Sequence, residues 1–353
     1  MPRLLTFLLI FSVFHSLAGE SDQILSIKKA LKNSTSDEQK LSALNDLAWE
    51  YHSSNFDSST HYVDLALKLA EQVGDPYWLA VSKEMKAILF EISGELDEAI
   101  KLYMEVIPLR AEMNGEGLEN TFNNLAIIFR AQENYEKALE YFRRSHEIEK
   151  EKKNPNGIAG SLVNLAITYN KLGMTDTVPV LLKESLRLSD DPGISLHASI
   201  NLGDYYSGIN LNDSAMTFFR LALPIADEND DLASACVIRI GIAEILEEEN
   251  RLAESEREFR KALELVQKIN FTLYESRVHR GLSVVYRKQG KFEKALDELE
   301  KYLTAREQVV NEELVRVTND LEQKYRSERQ EREIAELELA SIAQNLTDRK
   351  SVV

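Results

Sequence analysis

Small, aromatic and polar residues alternate at helical spacing in the segment NNLAIIFRAQENYEKALEYFRRS, residues 123–145. Apolar and small positions three or four residues apart lie on either side of a polar break, which predicts two amphipathic helices joined by a short turn. We expect the two helices to approach closely at Ala126 and Ala138. The rings of Tyr135 and Phe142 would then fill the space between them.

This pattern recurs along the chain with a period close to 40 residues. The small residue in the middle of the first helix stands at Ala48, Ala87, Ala126, Ala166, Gly203, Ala243 and Ser283, in steps of 39, 39, 40, 37, 40 and 40 residues. Self-similarity at a fixed period of this size is the signature of a repeat protein, in which each unit packs on the next. The sequence therefore predicts about seven helical hairpins.

Other positions keep their distance from the small residue. Turn residues follow it at Gly94, Gly173, Asn210, Asn250 and Gly290. A second small residue stands twelve positions after it, or eleven in the first unit, at Ser59, Ala99, Ala138, Ala215, Ser255 and Ala295. The fourth unit has Val178 at this place. A bulky residue comes next, at Tyr103, Phe142, Leu182, Phe219, Phe259 and Leu299.

This spacing of small, bulky and turn residues resembles that of the tetratricopeptide repeat (TPR) family, although the usual TPR period is about 34 residues. The longer units are similar to long-period TPR variants found in peptide-sensing and cargo-binding proteins. The resemblance covers residues 41–305 and implies an all-α superhelical solenoid. Residues 19–40 would form an N-terminal capping helix before it.

The TPR resemblance also implies that ligands bind a concave groove lined by the first helices. Three consecutive units carry an asparagine before the small residue, at Asn124, Asn164 and Asn201. An amide donates and accepts hydrogen bonds at once, so such a column can hold a peptide main chain. In the alternative interpretation, each asparagine bonds a neighbouring backbone and only stiffens the stack. We expect four further side chains to share the groove: His197, Asp204, Glu244 and Arg277.

The N-terminus predicts a secretory signal peptide over residues 1–18. Arg3 precedes an apolar stretch of 11 residues from Leu4 to Phe14, and small residues end at Ala18. A spanning helix needs about 20 apolar residues, so cleavage is favoured over a membrane anchor. The sequence thus predicts an exported protein, either periplasmic or secreted, with no membrane span other than this leader.

Residues 306–353 contain no proline or glycine and predict one long charged helix. Apolar residues cluster at Leu314, Val317 and Leu321, and again between residues 334 and 346, with charge between the clusters. A coiled coil that forms a homodimer and a solitary solvated helix are both open interpretations. Together with the leader and the repeats, this tail resembles the sensor half of bacterial TPR-containing receptor histidine kinases. In that resemblance the chain would be a fragment that ends before the membrane.

Composition narrows the function further. The net charge of −17 repels a phosphate backbone, so nucleic acid is not an expected partner. The single cysteine, Cys236, lies in an apolar run and reads as a small core residue. The six histidines are scattered, and no zinc spacing, phosphate loop or nucleophile elbow is present. We therefore expect no catalytic site, metal or cofactor. The predicted function is a scaffold that binds a peptide or protein, with the receptor sensor as the alternative.

Overall fold

The computed structural model describes residues 21–269, 271–311 and 314, and these are helices joined by short turns. The helices are α1 (Asp22–Asn33), α2 (Asp37–Tyr51), α3 (Phe56–Val73), α4 (Pro76–Ser93), α5 (Leu96–Glu112), α6 (Leu118–Ala131), α7 (Tyr135–Glu151), α8 (Pro155–Lys171), α9 (Val178–Leu188), α10 (Pro192–Gly208), α11 (Asn212–Glu228), α12 (Leu232–Glu248), α13 (Leu252–Ile269) and α14 (Thr272–Lys288). A 3-10 turn, Thr175–Thr177, precedes α9. A last helix, α15, begins at residue 292 and is described through residue 311.

The helices pair as consecutive antiparallel hairpins, which confirms the all-α solenoid prediction. Contacts are densest within α2/α3, α4/α5, α6/α7, α8/α9 and α10/α11, and α1 packs against α2. These elements belong to a first compact unit, Met1–Ser234. A second unit, Ala235–Val353, contains most of α12 together with α13, α14 and α15, whose buried residues share one core cluster. The predicted domain boundaries stay a prediction.

Local chemistry explains where the helices begin. The side chains of Ser21, Ser36 and Asn55 each accept a hydrogen bond from a backbone N–H in the first turn of the following helix. Such caps satisfy donors that have no partner within the helix. Proline occupies the first position of α4 and α8, where its missing N–H costs nothing.

The spacing of small and bulky residues within each repeat predicts which positions are buried in the core. The first-series alanines are fully buried, and so are Ala99, Ala138, Ala215 and Ser255 of the second series. The bulky residues that follow, Tyr103, Phe142, Leu182, Phe219 and Phe259, are also fully buried. Leu299 departs from this series because 41% of it is exposed. It lies on α15, the last helix in the described part of the chain, where no further hairpin covers it. Tyr135 also departs, since it is only half-buried at the start of α7.

Serine at a small position adds a hydrogen bond between paired helices. Ser59 donates to the carbonyl of Ala48 at 2.6 Å, and Ser255 donates to that of Ala243 at 2.7 Å. In the last hairpin, Ser283 donates to the carbonyl of Ala295 at 2.9 Å. A hydroxyl fits where the backbones approach this closely, and its own hydrogen bond is satisfied there.

Two sequence predictions fall largely on residues that the structure does not describe. The signal peptide, residues 1–18, lies entirely outside the described residues. The C-terminal helix, residues 306–353, is described only at 306–311 and 314. Across the described residues, every helix is too short or too polar to cross a membrane.

Candidate functional site

The three predicted asparagines lie on the first helices of successive hairpins, α6, α8 and α10, and each is half-buried. Their amides do not form one ladder. The Asn124 amide donates to the hydroxyl of Tyr103 at 3.3 Å. The Asn164 amide donates to the side-chain oxygen of Asn123 at 2.9 Å. The Asn201 amide donates at 2.8 Å to the backbone carbonyl of His197 in its own helix. This bond stays within α10 and joins Asn201 to no neighbouring helix, so its role in ligand binding stays a prediction.

Two of the asparagines belong to a directional chain of hydrogen bonds, which we call the amide relay. It consists of Arg130, Asn164, Asn123, Asn124 and Tyr103. The guanidinium of Arg130 donates to the Asn164 oxygen at 3.2 Å, and Asn164 donates in turn to Asn123. The Asn123 amide makes a long contact of 3.5 Å with the Asn124 oxygen, and Asn124 donates to Tyr103. Arginine can only donate, so the donors all point the same way along the relay.

The arginine end of the relay carries two cations, Arg130 and Lys171, and the carboxylate of Glu133 acts on Lys171 from beyond ion-pair distance. Arg130 is half-buried, and its guanidinium lies 5.2 Å from the Phe142 ring centroid. Burial lowers the pKa of Arg130 to about 10, so it is still charged at neutral pH. Burial also lowers the pKa of Lys171 at the end of α8; Glu133 opposes this shift and Arg130 adds to it. Among the described residues, neither cation has a carboxylate within ion-pair distance.

The opposite end of the relay lies near a carboxylate. Burial raises the pKa of Glu91, on α4, to about 7. Burial and then the charge of Glu91 raise the pKa of the Tyr103 hydroxyl. No hydrogen bond or ion pair engages the Glu91 carboxylate within the described part of the chain. Glu91 and Arg130 each stand four residues after the small residue of their helix, so they occupy equivalent positions on α4 and α6.

Sequence comparison identifies the repeats. A model of the N-terminal TPR domain of SusR matches residues 19–115. A tetratricopeptide repeat model matches residues 117–191 and again residues 234–308. The chain is a tetratricopeptide repeat protein. The TPR models cover the segments that contain the amide relay. No curated protein sequence matches this TPR protein.

Solved structures with the same fold share little sequence with this TPR protein. The apo form of RapI has a TM-score of 0.61 and 16% identity, covering 77% of this chain and 99% of RapI. The apo form of the quorum sensor NprR from B. thuringiensis has a TM-score of 0.58 and 11% identity, covering 80% and 92%. Aspartyl phosphate phosphatase F from Bacillus subtilis has a TM-score of 0.54 and 13% identity, covering 80% and 88%. At these identities the likeness establishes the fold alone.

The other predicted groove residues divide between the two units. His197 is exposed and Asp204 is half-buried, and both lie on α10 in the first unit. Glu244 and Arg277 lie in the second unit and bind each other. Arg277 donates to the two carboxylate oxygens of Glu244 at 3.1 and 2.9 Å. These two residues form an ion pair in the second unit of the TPR protein, and their role in a groove stays a prediction. The described residues contain no cluster of three or more His, Cys, Asp or Glu side chains that could hold a metal ion.

Sequence reasoning missed the residues that complete the relay. Asn123 precedes Asn124 in the NNLA segment, so a paired amide was visible there. Arg130 and Glu91 share one repeat position, and a comparison at that offset shows opposite charges on successive helices. The contribution of Tyr103 could not be read from the sequence, because a buried aromatic at its position usually only packs. Its hydroxyl reaches the relay because α5 lies against α4 and α6.

Proposed function

We propose that this TPR protein binds an extended peptide along the amide relay of its first unit and acts as a scaffold without catalysing a reaction. The amide relay supports this proposal. Each amide in it satisfies one donor and one acceptor internally and keeps a second N–H for a ligand, since an amide carries two donors. An ordered amide loses little conformational entropy on binding, which favours recognition of a peptide main chain.

Substitution of the relay amides tests this proposal. A random peptide library is screened against the purified protein, and the affinity of the selected peptides is measured for Asn164→Ala and Asn123→Ala. We expect affinity to fall about fivefold for each variant, because a hydrogen bond contributes about 1 kcal/mol. Thermal unfolding establishes that each variant is folded at the temperature of the binding measurement. Asn201→Ala is the matched control and should bind as the wild type does. Unchanged binding by an Asn123→Ala/Asn164→Ala double variant would refute the peptide role of the relay.

We also propose that the protein acts outside the cytoplasm, either in a periplasm or as a secreted protein. The proposal rests on residues 1–18 as a cleaved leader. N-terminal sequencing of the mature protein from an exporting host should begin at Gly19. A cytosolic product that retains Met1, or an uncleaved product that sediments with membranes, contradicts it.

The second candidate function is the sensing module of a signalling receptor. The charged pattern of residues 306–353 after the repeats favours it, and the same fold occurs in NprR, a quorum sensor. Ligand binding would then change the orientation of the C-terminal segment. Sequencing the coding region beyond Val353 separates the two candidates. An apolar stretch of about 20 residues followed by an output domain supports the receptor.

A further inference from the structure

The turns between paired helices follow one order of residue types in most hairpins, and the fourth and fifth hairpins, α8/α9 and α10/α11, invert it. Elsewhere a polar residue comes first and an apolar or aromatic residue follows, in the pairs Asn55/Phe56, Glu95/Leu96, Asn134/Tyr135, Arg251/Leu252 and Lys291/Phe292. The fourth and fifth hairpins have Met174/Thr175 and Leu211/Asn212 at the same place. An apolar residue thus stands where the other turns have a polar one.

An apolar residue at this place forgoes a capping hydrogen bond. In the third hairpin the side chain of Asn134 accepts a hydrogen bond at 3.2 Å from the backbone N–H of Lys137 in α7. Met174 (φ −85°, ψ 57°) and Leu211 (φ −95°, ψ 66°) have backbone angles close to those of Asn134 (φ −87°, ψ 72°), but neither side chain makes such a bond. Capping stabilises a helix, so these two turns lack that stabilisation and present an apolar side chain instead.

Three apolar residues of these turns are exposed, and we call them the turn-edge patch. Met174 is 50% exposed, Ile209 47% and Leu211 50%. At the places of Met174 and Ile209, the later turns of the chain carry Arg251 and Gln289. Departures from a local rule concentrate at functional sites, and apolar side chains grouped on a surface mark interaction sites.

Successive turns contact each other, as the last two hairpins show. The Gln289 amide donates at 3.3 Å to the backbone carbonyl of Leu252, at the start of α13. These positions line an open groove of about 450 Å³ in the second unit. In the first unit Ile209 corresponds to Gln289, and Thr175 corresponds to Leu252. The repeat therefore places Ile209 beside Thr175 and its neighbour Met174, and the equivalent groove has apolar walls.

Carboxylates border the turn-edge patch. Asp176 and Asp213 are exposed, and each stands two residues after an apolar member of the patch. With the preceding turn included, carboxylates outnumber lysines near the patch: Asp176, Asp213, Glu133 and Glu136 against Lys137 and Lys171. No cation among the described residues lies within ion-pair distance of these four carboxylates. A partner that covers the apolar residues therefore gains from basic groups at its edges.

We propose that the turn-edge patch docks an amphipathic helix of another protein, with apolar side chains on Met174, Ile209 and Leu211 and basic side chains beside Asp176 and Asp213. Packed helices are about 10 Å apart, so successive turns have about this spacing. Residues seven positions apart on a helix are separated by about 10.5 Å, so one apolar face reaches both turns.

A second copy of the chain fits the patch less well. Two patches brought together would also bring together the carboxylates at their borders, and like charges across an interface oppose association. The net charge of −17 on each chain adds to this repulsion, whereas it attracts a basic partner. The proposal uses none of the residues of the amide relay, so it does not depend on the proposed peptide function.

A synthetic helix tests the docking surface. The probe is the amphipathic peptide acetyl-AKLAKLLKALKALLKA-amide, whose leucines share one face and whose lysines occupy the other. A scrambled peptide of the same composition, with leucines spread around the helix, measures attraction by net charge alone. Isothermal titration with the full chain should give at least tenfold tighter binding for the amphipathic peptide than for the scrambled one.

Restoring the usual turn chemistry provides the decisive variant. Met174→Asn/Leu211→Asn should bind the amphipathic peptide at least tenfold more weakly than the wild type does. Its melting temperature should stay the same or rise, because each asparagine can supply the cap that Asn134 supplies, and loss of folding cannot produce this combination. The matched control, Leu65→Gln/Leu221→Gln, removes two exposed leucines outside the patch and should keep wild-type affinity.

The border carboxylates are tested separately. Asp176→Asn/Asp213→Asn should weaken binding of the amphipathic peptide about fivefold at low salt, and the difference from the wild type should shrink as salt is added. Unchanged affinity in this variant would contradict the basic character of the partner. Asn123→Ala/Asn164→Ala, which alters the amide relay, should bind the helix as the wild type does.

Several outcomes overturn the docking proposal. Equal affinity for the amphipathic and scrambled peptides does so, as does binding that survives Met174→Asn/Leu211→Asn. A doubled chain mass in sedimentation that this variant abolishes would assign the patch to a second copy. Binding to phosphatidylcholine vesicles that this variant abolishes would assign it to a lipid surface. Helix binding that is lost in Asn123→Ala/Asn164→Ala overturns the location and leaves the proposed peptide function intact.

Discussion

Six turns between paired helices require one residue in the left-handed region. The residue seven positions after the small residue has a positive φ at Gly94 (82°), Glu133 (59°), Gly173 (76°), Asn210 (59°), Asn250 (61°) and Gly290 (74°). Glycine adopts this conformation without a steric cost and asparagine tolerates it, whereas other residues are strained there by about 1–2 kcal/mol. Glu133 is therefore the unfavourable member of the series.

Replacing Glu133 with glycine should stabilise the protein. Relief of strain exceeds the extra entropy of the unfolded glycine chain, so we expect a gain of about 0.5–1 kcal/mol in the free energy of unfolding. Urea unfolding measures it. Glu133→Gln is the control for charge and should change stability little, and Asn210→Gly should gain less. A less stable Glu133→Gly variant contradicts the prediction.

Gly203 has a packing role that requires the absence of a side chain. A Cβ atom there would lie 2.5 Å from the ring of Phe219, which is fully buried. Gly203→Ala should therefore destabilise the protein by about 1–3 kcal/mol through overpacking, as measured by thermal unfolding. In a Phe219→Leu background, Gly203→Ala should cost less than it does in the wild type, because the smaller side chain leaves room for the added Cβ atom. Additive losses in the double variant would show that the two residues do not clash.

Glu91 should make stability depend on pH. Its pKa is raised to about 7 in the folded state by burial, so the folded state binds the proton more tightly than the unfolded state. Stability is then lost as pH rises from about 4.5 through 7. Glu91→Gln removes this loss and should be more stable than the wild type at pH 8 by about 1–3 kcal/mol, with no difference at pH 4. Urea unfolding at both pH values tests this, with the exposed Glu184→Gln as the control.

At the scale of the helix, the same repeat position is buried in one unit and partly exposed in another. Leu182 on α9 is fully buried because later helices of the first unit pack over it, whereas 41% of Leu299 on α15 is exposed. Leu182→Ala should cost about 2–5 kcal/mol of stability. Leu299→Ala should cost less than about 1 kcal/mol, because its side chain is only partly removed from water. Equal losses in chemical unfolding would mean that Leu299 is covered in solution.

These helices also show what the sequence could predict. Residue type and spacing were enough to predict that the small and bulky series from Ala99 to Phe259 is buried, because small and bulky residues alternate wherever two backbones approach. Exposure of Leu299 could not be predicted, since it depends on which element follows. The amide relay was predicted only in part. Spacing places Asn124 and Asn164 on equivalent turns, but the rotamers that link Asn164 to Asn123 depend on tertiary packing.

At the scale of the whole molecule, the strong negative charge affects which ligands reach the protein. A net charge of −17 attracts cations over long range and repels anions, with an effect that salt screens. Arg130 and Lys171 make this field less negative in their own neighbourhood. A peptide without net charge is therefore neither concentrated nor excluded by this field, whereas a strongly acidic peptide is repelled.

Self-association is the remaining prediction at this scale. Leu303 and Val310 are exposed on α15, and the sequence continues with apolar residues at Leu314, Val317 and Leu321. If residues 306–353 pair in a homodimer, sedimentation velocity should give twice the chain mass of 40.2 kDa. Leu321→Glu should shift the protein toward the monomer, because a charge at an apolar seam position opposes helix pairing. Val180→Glu, at an exposed position on α9, should leave the mass unchanged. A monomeric wild type at micromolar concentration would favour the solitary helix.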